Sequence, residues 1–381
     1  MTRIYLDNHA TTPTDPRVAD AVYRSMVGTF GNPRSADHTF GDEAQALVDQ
    51  AAADLAALCD CDPDEVHFNS GATEAIRQAI AIATSYALAE RRRPARIVAL
   101  PIEHRAVLTT IDEAVKNGRA TVDWLGVDRM GRLDLASLER AFSKPADLAV
   151  CMAANNELGN VYPVGLVAAR ARRAGASTFT DLSQAVGKVP LSVRDLDADL
   201  VALSGHKIYG PKGAGAIVVR GRYRGAKLPD GGTPNVPGIV GLGEAARYRR
   251  QEMLADETRI ADLRDRLERV LLSSGVGVVV NGNPEARLAG SLHVSAVGVQ
   301  NRDVIDLLRN RVAVSTGAAC ATAQGMSSHV MRAMGLPPEV QQGALRIGLG
   351  KFTTRDEVDQ GAAAIVDAIR RVRMRRSPSA A

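Results

Sequence analysis

The sequence lacks long apolar runs. None of its 381 residues belongs to a stretch of about 18 consecutive apolar side chains, the length that a membrane-spanning helix needs, so we expect no membrane span. The first residues, "MTRIYLD", hold no apolar core of the kind found in secretory signals. We therefore expect a cytoplasmic protein, and the length suggests about two domains.

Cysteine is also scarce, with four residues in the chain. Cys59 and Cys61 form a single C-x-C without the second pair that would complete a zinc site, so no metal site is expected. Cys151 lies in an apolar run over residues 148–154, which predicts a buried strand residue. Cys320 differs, because its stretch "STGAACATAQGMSSH" lacks the apolar density of a core strand.

Excess charge is confined to one end. The formal net charge is +4, and the C-terminal tail alone contributes five arginines, at positions 370, 371, 373, 375 and 376. The rest of the chain is close to neutral, so we expect no direct binding to nucleic acid. The tail is interpreted as the solubilising end of a helix.

Lysine is the rarest of the common charged residues here, with seven lysines against forty arginines. Lys207 lies in "SGHKIYGPKGAGA", directly after an apolar stretch. Lysine can lose its proton and attack a carbonyl group, which arginine cannot do. This placement predicts that Lys207 holds an aldehyde cofactor.

Short apolar strands alternate with helices over most of the chain, which predicts an α/β fold with a mostly parallel sheet. The predicted helices cover 42–58, 72–90, 105–116 and 166–173, and the predicted strands cover 97–101, 148–154, 177–181, 200–204 and 215–220. From about residue 254 a long charged helix, two strands and two further helices predict a small α+β part. We predict a large domain over 15–255 and a small domain formed by 1–14 and 256–381.

Four polar clusters follow the carboxyl ends of predicted strands, where ligands of such sheets bind. They are Glu103-His104, Asn155-Asn156-Glu157, the run 181–184 and the run 204–207. Four clusters at one edge of a sheet predict a single site.

Pyridoxal phosphate fits this set of residues. Asp181 could keep the ring nitrogen protonated and His104 could stack on the ring, while Gln184 or Asn155 could reach the ring hydroxyl. The helix start "NSGATEA", with Ala72 and Thr73, could bind the phosphate, aided by Ser204 and His206. Each residue alone also fits a structural role as a helix cap, a turn residue or a core histidine.

The motifs that run along nearly the whole chain resemble those of the cysteine desulfurases of the NifS/IscS kind, in the class V aminotransferase-like group. They include "YLDNHATTPTDPRV", "FGNPRSADH", "SGATEA", "EHRAVL", "NNELGNVYPV", "DLSQAVGKVPL", "LSGHKIYGPKGAGA", "GTPNVPGIVGLGEA", "STGAACATA" and "RIGLGKFTT". The resemblance implies the type I fold of pyridoxal-phosphate-dependent transferases, with Lys207 as the aldimine lysine.

The resemblance also assigns the other site residues. It implies that Asp181 faces the pyridine nitrogen, that His104 stacks and relays protons, and that Gln184 and Asn155 contact the ring hydroxyl or the substrate. It implies that Thr73, Ser204 and His206 hold the phosphate, and that Arg346 grips the carboxylate of L-cysteine. Thr233 would reach the phosphate of the other subunit, which implies a homodimer.

For Cys320 the resemblance implies that its thiolate takes sulfur from L-cysteine as a persulfide, releases alanine and passes the sulfur to an acceptor protein. A buried, inert thiol is the alternative. Two other functions remain open: a related pyridoxal-phosphate lyase or aminotransferase in which Cys320 is incidental, and a catalytically quiet scaffold. Iron–sulfur assembly and thionucleoside synthesis are candidate destinations, and "DNHATT", Arg34 and Ala-Cys-Ala also resemble the desulfurase of DNA phosphorothioation.

Two departures from the family pattern stand out. Arg34 replaces a small polar residue, and the segment 221–232 is several residues shorter than its family counterpart. The short segment puts the reach of Thr233 across the dimer in question.

Overall fold

The chain alternates strands and helices along most of its length. This computed structural model describes residues 3–229, 231–317 and 328–376. The strands within these ranges are β1 (Ile4–Tyr5), β2 (Val66–Asn69), β3 (Ala95–Ala99), β4 (Ala120–Trp124), β5 (Leu148–Val150), β6 (Ser177–Asp181), β7 (Leu200–Ser204), β8 (Gly215–Val219), β9 (Val278–Val280), β10 (Ser291–Ala296), β11 (Val312–Ala313) and β12 (Ala344–Gly348). The α-helices there are α1 (Pro16–Gly28), α2 (Thr39–Cys59), α3 (Ala72–Arg91), α4 (Arg105–Lys116), α5 (Leu135–Ala141), α6 (Val164–Arg173), α7 (Val236–Ser273), α8 (Asn301–Leu308), α9 (His329–Ala333), α10 (Pro338–Gln342) and α11 (Arg355–Arg376).

Seven strands form one large sheet in the order β2-β8-β7-β6-β5-β3-β4. The five strands from β7 to β4 pair in parallel, and β8 runs antiparallel to both of its neighbours. The predicted α/β fold with a mostly parallel sheet is therefore confirmed. The parallel strands all point their carboxyl ends to the same edge, which positions the site.

Helices cover both faces of this sheet. Every residue of the central strands β5 to β8 is buried, because alternate side chains meet helices on opposite sides. On one face, Ile97, Phe179 and Ile217 pack with the apolar sides of α3 and α4. On the other face, Val98 and Leu203 pack with α2 and α6. Cys151 is fully buried, as predicted, but it lies one residue beyond β5, which ends at Val150 rather than at residue 154.

A smaller part is built on the antiparallel sheet β12-β10-β9 and on the parallel pair of β1 and β11. A separate apolar core joins these strands to the second half of α7, to α8 and to α11. The N-terminal segment reaches this part as well, since Asn8 N donates to the carbonyl oxygen of Gly348. In this way, residues 7–12 come to lie between the two sheets.

Helix α7 begins at Val236, eighteen residues before the start that the sequence predicted. Its first half holds Gly241 and Gly243, and glycine weakens a helical pattern. Both glycines permit close packing: a Cβ on Gly241 would lie 2.6 Å from Val22 Cγ2, and one on Gly243 would lie 2.6 Å from Ala51 Cα. Because α7 runs unbroken through residue 255, the domain boundary there stays a prediction.

Candidate active site

One large cavity of about 730 Å³ opens at the carboxyl edge of the large sheet. It lies between the ends of β6 and β7, the start of α3, the N-terminal segment 9–11 and β12. The predicted site residues on its wall are Ala72, Thr73, His104, Asp181, Gln184, Ser204, His206, Lys207 and Arg346. The structure thus brings together most of the residues that the sequence selected.

The start of α3 forms one end of the cavity. Gly71 caps the helix with φ +145°, a conformation that favours glycine, and a Cβ there would lie 3.8 Å from the hydroxyl of Ser204. Strand β8 also approaches closely, since a Cβ on Gly215 would lie 2.5 Å from Gly71 Cα. The first N–H groups of a helix lack intrahelical acceptors, so Ala72 and Thr73 present donors to this space. The arrangement is suited to a phosphate.

His206 lies on the same side, and its Nδ1 is 3.0 Å from Thr11 Oγ1. Burial, together with the positive charges of Lys207 and Lys212, lowers the pKa of His206 to about 4. The imidazole is therefore neutral at pH 7 and can donate one hydrogen bond to an anion.

Lys207 follows β7 in a short 3₁₀ turn, Gly205–Lys207. Its Nζ donates to the backbone oxygens of His9 at 2.5 Å and Ala10 at 2.7 Å. Burial, together with the positive charges of Lys188 and Arg346, lowers the pKa of Lys207 to about 7. A sizeable fraction of this amine is consequently neutral, and nucleophilic, at physiological pH.

Asp181 ends strand β6 and is buried, with its Oδ1 accepting from Ser183 N at 2.9 Å. His104 caps α4, where its Nδ1 accepts from Ala106 N at 3.2 Å. That bond leaves Nε2 as the nitrogen that carries the proton of the neutral ring. Burial lowers the pKa of His104, whereas the nearby Asp181 raises it.

Gln184 connects the site to the protein interior. Its Nε2 donates to the His9 backbone oxygen at 2.9 Å, and its Oε1 accepts from Lys188 Nζ at 2.9 Å. The same Oε1 lies 3.1 Å from His9 Nδ1. Gln184 is thereby held in one orientation by three contacts.

Arg346 projects from β12 and is buried. Its Nη2 donates to Asp7 Oδ1 at 2.9 Å and its Nη1 donates to the backbone oxygen of Asn156 at 3.1 Å, while its buried Nε has no hydrogen-bond partner among the described residues. A guanidinium held in this way can turn its remaining donors towards a carboxylate in the cavity.

Two predicted site residues, Asn155 and Thr233, do not line the cavity, and a third, Cys320, is not among the described residues. The Asn155 side chain faces its own turn, donating to the backbone oxygen of Ile102 and accepting from the N–H groups of Glu157 and Leu158, and it does not line the cavity. Thr233 is exposed and away from the cavity wall. The roles predicted for these three stay predictions.

Several wall residues were given no role from the sequence. The motif "DNHATT" contains His9, Ala10 and Thr11, but only the fold reveals that they face the end of β7. His329, whose Nε2 is 2.9 Å from the Glu103 backbone oxygen, and Arg332 also line the cavity. Within residues 3–229, 231–317 and 328–376 no cluster of side chains is suited to bind a metal ion, and no helix is both long and apolar enough to cross a bilayer.

Comparisons with known proteins agree with this geometry. The family model described as aminotransferase class-V matches residues 4–229 and 225–360. The chain is 38% identical to the cysteine desulfurase IscS of Anaeromyxobacter sp. (strain Fw109-5), over 97% of this chain and 93% of that protein. The chain belongs to the class-V aminotransferase family, in its cysteine desulfurase branch.

Solved structures give the same result. A NifS-like protein superposes with a TM-score of 0.87 at 31% identity, covering 97% of this chain and all of the other. DndA from Streptomyces lividans superposes with a TM-score of 0.72 at 33% identity, covering 90% and 98% of the two chains. The predicted resemblance and the type I fold are therefore confirmed.

The residues present fit pyridoxal phosphate, which the family uses. A glycine-lined helix start, a neutral histidine and the Ser204 hydroxyl match the phosphate, and the buried carboxylate of Asp181 matches a protonated ring nitrogen. The depressed pKa of Lys207 matches an amine that must react with an aldehyde.

Proposed function

We propose how this chain performs the chemistry of its family. The chain is a pyridoxal-phosphate-dependent cysteine desulfurase: it converts L-cysteine to L-alanine and passes the sulfur to an acceptor protein. The observation that carries this proposal is Lys207, an amine with a pKa near 7 in a cavity that has a phosphate-binding end and a buried carboxylate. When bound there, the cofactor supplies an electron sink for the bonds around the substrate Cα.

Lys207 and His104 handle protons in this proposal. Lys207, whose lowered pKa leaves part of the amine neutral, would hold the cofactor through its Nζ and would take the substrate α-proton there. His104 would stack on the ring and would move a proton at its Nε2, because its Nδ1 accepts from Ala106 N. Asp181 keeps the ring nitrogen protonated through a charge-assisted hydrogen bond.

The remaining wall residues bind and orient. The N–H groups of Ala72 and Thr73, with the side chains of Thr73, Ser204 and His206, hold the phosphate. Gln184 and Asn155 would contact the ring hydroxyl or the substrate, which for Asn155 requires its amide to leave the bonds that it makes with Ile102, Glu157 and Leu158. Arg346 grips the substrate carboxylate, with Asp7 fixing one end of the guanidinium.

The sulfur step is assigned to Cys320. Its thiolate attacks the substrate sulfur, so that an S–S bond forms while the Cβ–S bond breaks. The two sulfur atoms become a persulfide on Cys320, and the substrate carbon gains a proton and leaves as alanine. The described cysteines are poor candidates, because burial raises the pKa of Cys59, Cys61 and Cys151 and keeps their thiols protonated.

Assembly and destination belong to the same proposal. The exposed apolar side chains Tyr23, Met26, Val27, Phe30 and Phe40 support a homodimer, in which Thr233 would reach the partner's phosphate. The likeness to IscS supports iron–sulfur assembly as the destination of the sulfur, and the likeness to DndA supports DNA phosphorothioation. We place the protein in the cytoplasm, acting on a protein acceptor.

Single-turnover experiments with L-cysteine test the sulfur step. We expect Cys320→Ala to change the cofactor absorbance on substrate addition, as wild type does, but to form no alanine. Cys61→Ser is the matched control and should keep wild-type alanine formation. Alanine and sulfide at the wild-type rate from Cys320→Ala would instead make the chain a different pyridoxal-phosphate lyase.

A further inference from the structure

His9 is a buried residue of the cavity wall, and one of its ring nitrogens makes no hydrogen bond to the described residues. Its side chain is 2% exposed, and its Nε2 has no hydrogen-bond partner among the described residues. Buried polar side-chain atoms nearly always have a partner, so an unpaired one on a cavity wall points to a ligand.

The contacts of Gln184 fix which ring nitrogen of His9 carries the proton. Gln184 Nε2 must face the His9 carbonyl oxygen, and Gln184 Oε1 must face the Lys188 amine, since each pair otherwise lacks a donor or an acceptor. The atom that His9 Nδ1 meets at 3.1 Å is therefore an acceptor. Nδ1 bears the hydrogen, and Nε2 presents a lone pair.

The charge around His9 keeps the ring in this neutral form. Burial lowers the pKa of His9 well below its usual value, and the positive charges of Lys188, Arg346 and Lys207 lower it further. Hydrogen bonding to Gln184 acts in the opposite direction. Nε2 consequently stays an acceptor at neutral pH.

His9 borders two spaces, the large cavity and a void of about 10 Å³ behind it. The void is at the lower limit for one water molecule. None of the polar side chains that line the void, which are those of Asn8, Thr12, Lys188, Tyr209 and Glu257, donates to His9 Nε2. The donor is therefore expected from a ligand of the large cavity, which His9 also lines.

We propose that His9 is a further substrate-binding residue, whose Nε2 accepts a hydrogen bond from the α-amino group of the amino acid substrate. The inference rests on the proposed function. The same wall already receives an amine, because the backbone oxygens of His9 and Ala10 accept from Lys207 Nζ. The lone pair of His9 Nε2 needs a hydrogen-bond donor, and the substrate carboxylate and the cofactor phosphate are acceptors.

Two variants distinguish the contributions of the two ring nitrogens of His9 to ligand binding. His9→Asn keeps an amide N–H near the position of Nδ1, for Gln184, but has no atom at the position of Nε2. His9→Gln keeps a polar atom near Nε2. His67→Asn, on strand β2 and outside the cavity, is the matched control.

The first measurement needs no cofactor and no variant. Nitrogen-15 NMR of the apoprotein should show His9 as the neutral Nδ1–H tautomer. An Nε2–H tautomer would overturn the proposal, and so would a crystal structure with a water in the void bonded to Nε2.

The second measurement is ligand binding to the cofactor-loaded protein, measured by isothermal titration calorimetry, which detects ligands with and without an amine. L-alanine has the amine but no thiol, and 3-mercaptopropionate has the thiol but no amine. His9→Asn should weaken L-alanine about tenfold, as expected for loss of a hydrogen bond to a charged group, and leave 3-mercaptopropionate unchanged. His9→Gln should recover part of the loss.

Other binding patterns contradict the proposal. Equal weakening of both ligands would mean a general disturbance of the wall, weakening of 3-mercaptopropionate alone would make the thiol the donor, and no change would leave Nε2 without a role. Failure of the proposed function is distinguishable, because it would appear as absence of alanine from L-cysteine in wild type.

Discussion

The two walls of the cavity are built in different ways. The wall that faces the cofactor consists of strand ends and a helix start from the large sheet, with Asp181, Ser204 and Gly71 fixed by backbone position. The wall that faces the substrate consists of the N-terminal segment and β12, and side-chain contacts hold it. Arg346 meets Asp7 across 339 positions of sequence, and His9 meets Gln184 across 175.

The difference concerns charge as well as connectivity. Arg346 lies on the substrate wall, and Lys207 and Lys188 adjoin it through their contacts with His9 and Gln184. The positive charges of Lys188 and Arg346 lower the pKa of Lys207. Like charges in a buried site favour loss of a proton from the group that can lose it, and arginine cannot. The cofactor wall thus positions the cofactor, and the charges at the substrate wall make the amine of Lys207 reactive.

Lys207→Ala removes the lysine that lies between the two walls. We expect it to lower the rate of alanine formation more than the other substitutions of the wall residues do. We expect loss of the covalently bound cofactor absorbance and a fall in alanine formation of at least about 10²–10⁴-fold, the typical contribution of one proton-transfer group. The exposed Lys227→Ala is the matched control and should behave as wild type. A Lys207→Ala protein that keeps substantial turnover would assign the chemistry to another amine.

Asp181→Asn tests the cofactor wall. The amide can still accept from Ser183 N, so the strand end should stay in place while the charge is lost. We expect turnover to fall about ten- to a hundredfold, because a hydrogen bond to a charged group contributes about 1.5–3 kcal/mol. Cofactor absorbance and circular dichroism would check that binding and fold are kept. Unchanged turnover would mean that Asp181 does not pair with the ring nitrogen.

The cofactor wall was largely predictable from the sequence, and the substrate wall was not. The sequence located the ends of β6 and β7 to the residue, at Asp181 and Ser204, and it located the start of α3 at Ala72, directly after a glycine. Position along a parallel strand determines position in the sheet, so these local patterns suffice.

The substrate wall depends on which distant segments meet. Nothing local in "DNHATT" indicates that His9 will lie beside Gln184. Nor does the sequence indicate that the Asn155 side chain accepts from the N–H groups of Glu157 and Leu158. Likewise, the sequence did not predict the first half of α7, because its glycines weaken the helical pattern. The same glycines allow the helix to pack closely against its neighbours. Long-range side-chain pairing was the information missing from the local patterns.

Arg346→Lys tests the substrate wall. Lysine keeps the charge but cannot hold Asp7, the Asn156 carbonyl and a substrate carboxylate at once. We expect KM for L-cysteine to rise about tenfold with a smaller change in kcat, corresponding to about 1.4 kcal/mol of lost binding. Arg269→Lys, at an exposed position of α7, is a suitable control. A fall in kcat at constant KM would place Arg346 in the chemical step instead.

Lys188→Met should give the smallest effect and isolates the charge of the substrate wall. Burial and the charge of Lys188 are the two largest causes of the lowered pKa of Lys207, so removing Lys188 should raise that pKa above about 7. The rate at which apoprotein recaptures pyridoxal phosphate follows the neutral amine. It should therefore increase with pH around 7 in wild type, and the midpoint should move to higher pH in Lys188→Met. At neutral pH the variant should recapture the cofactor several-fold more slowly, since each pKa unit changes the neutral fraction by about tenfold.

The control Lys227→Met should leave the dependence of the recapture rate on pH unchanged. A midpoint that does not move would show that burial alone sets the reactivity of Lys207, and that the cluster of charges on this wall serves substrate binding rather than the lysine.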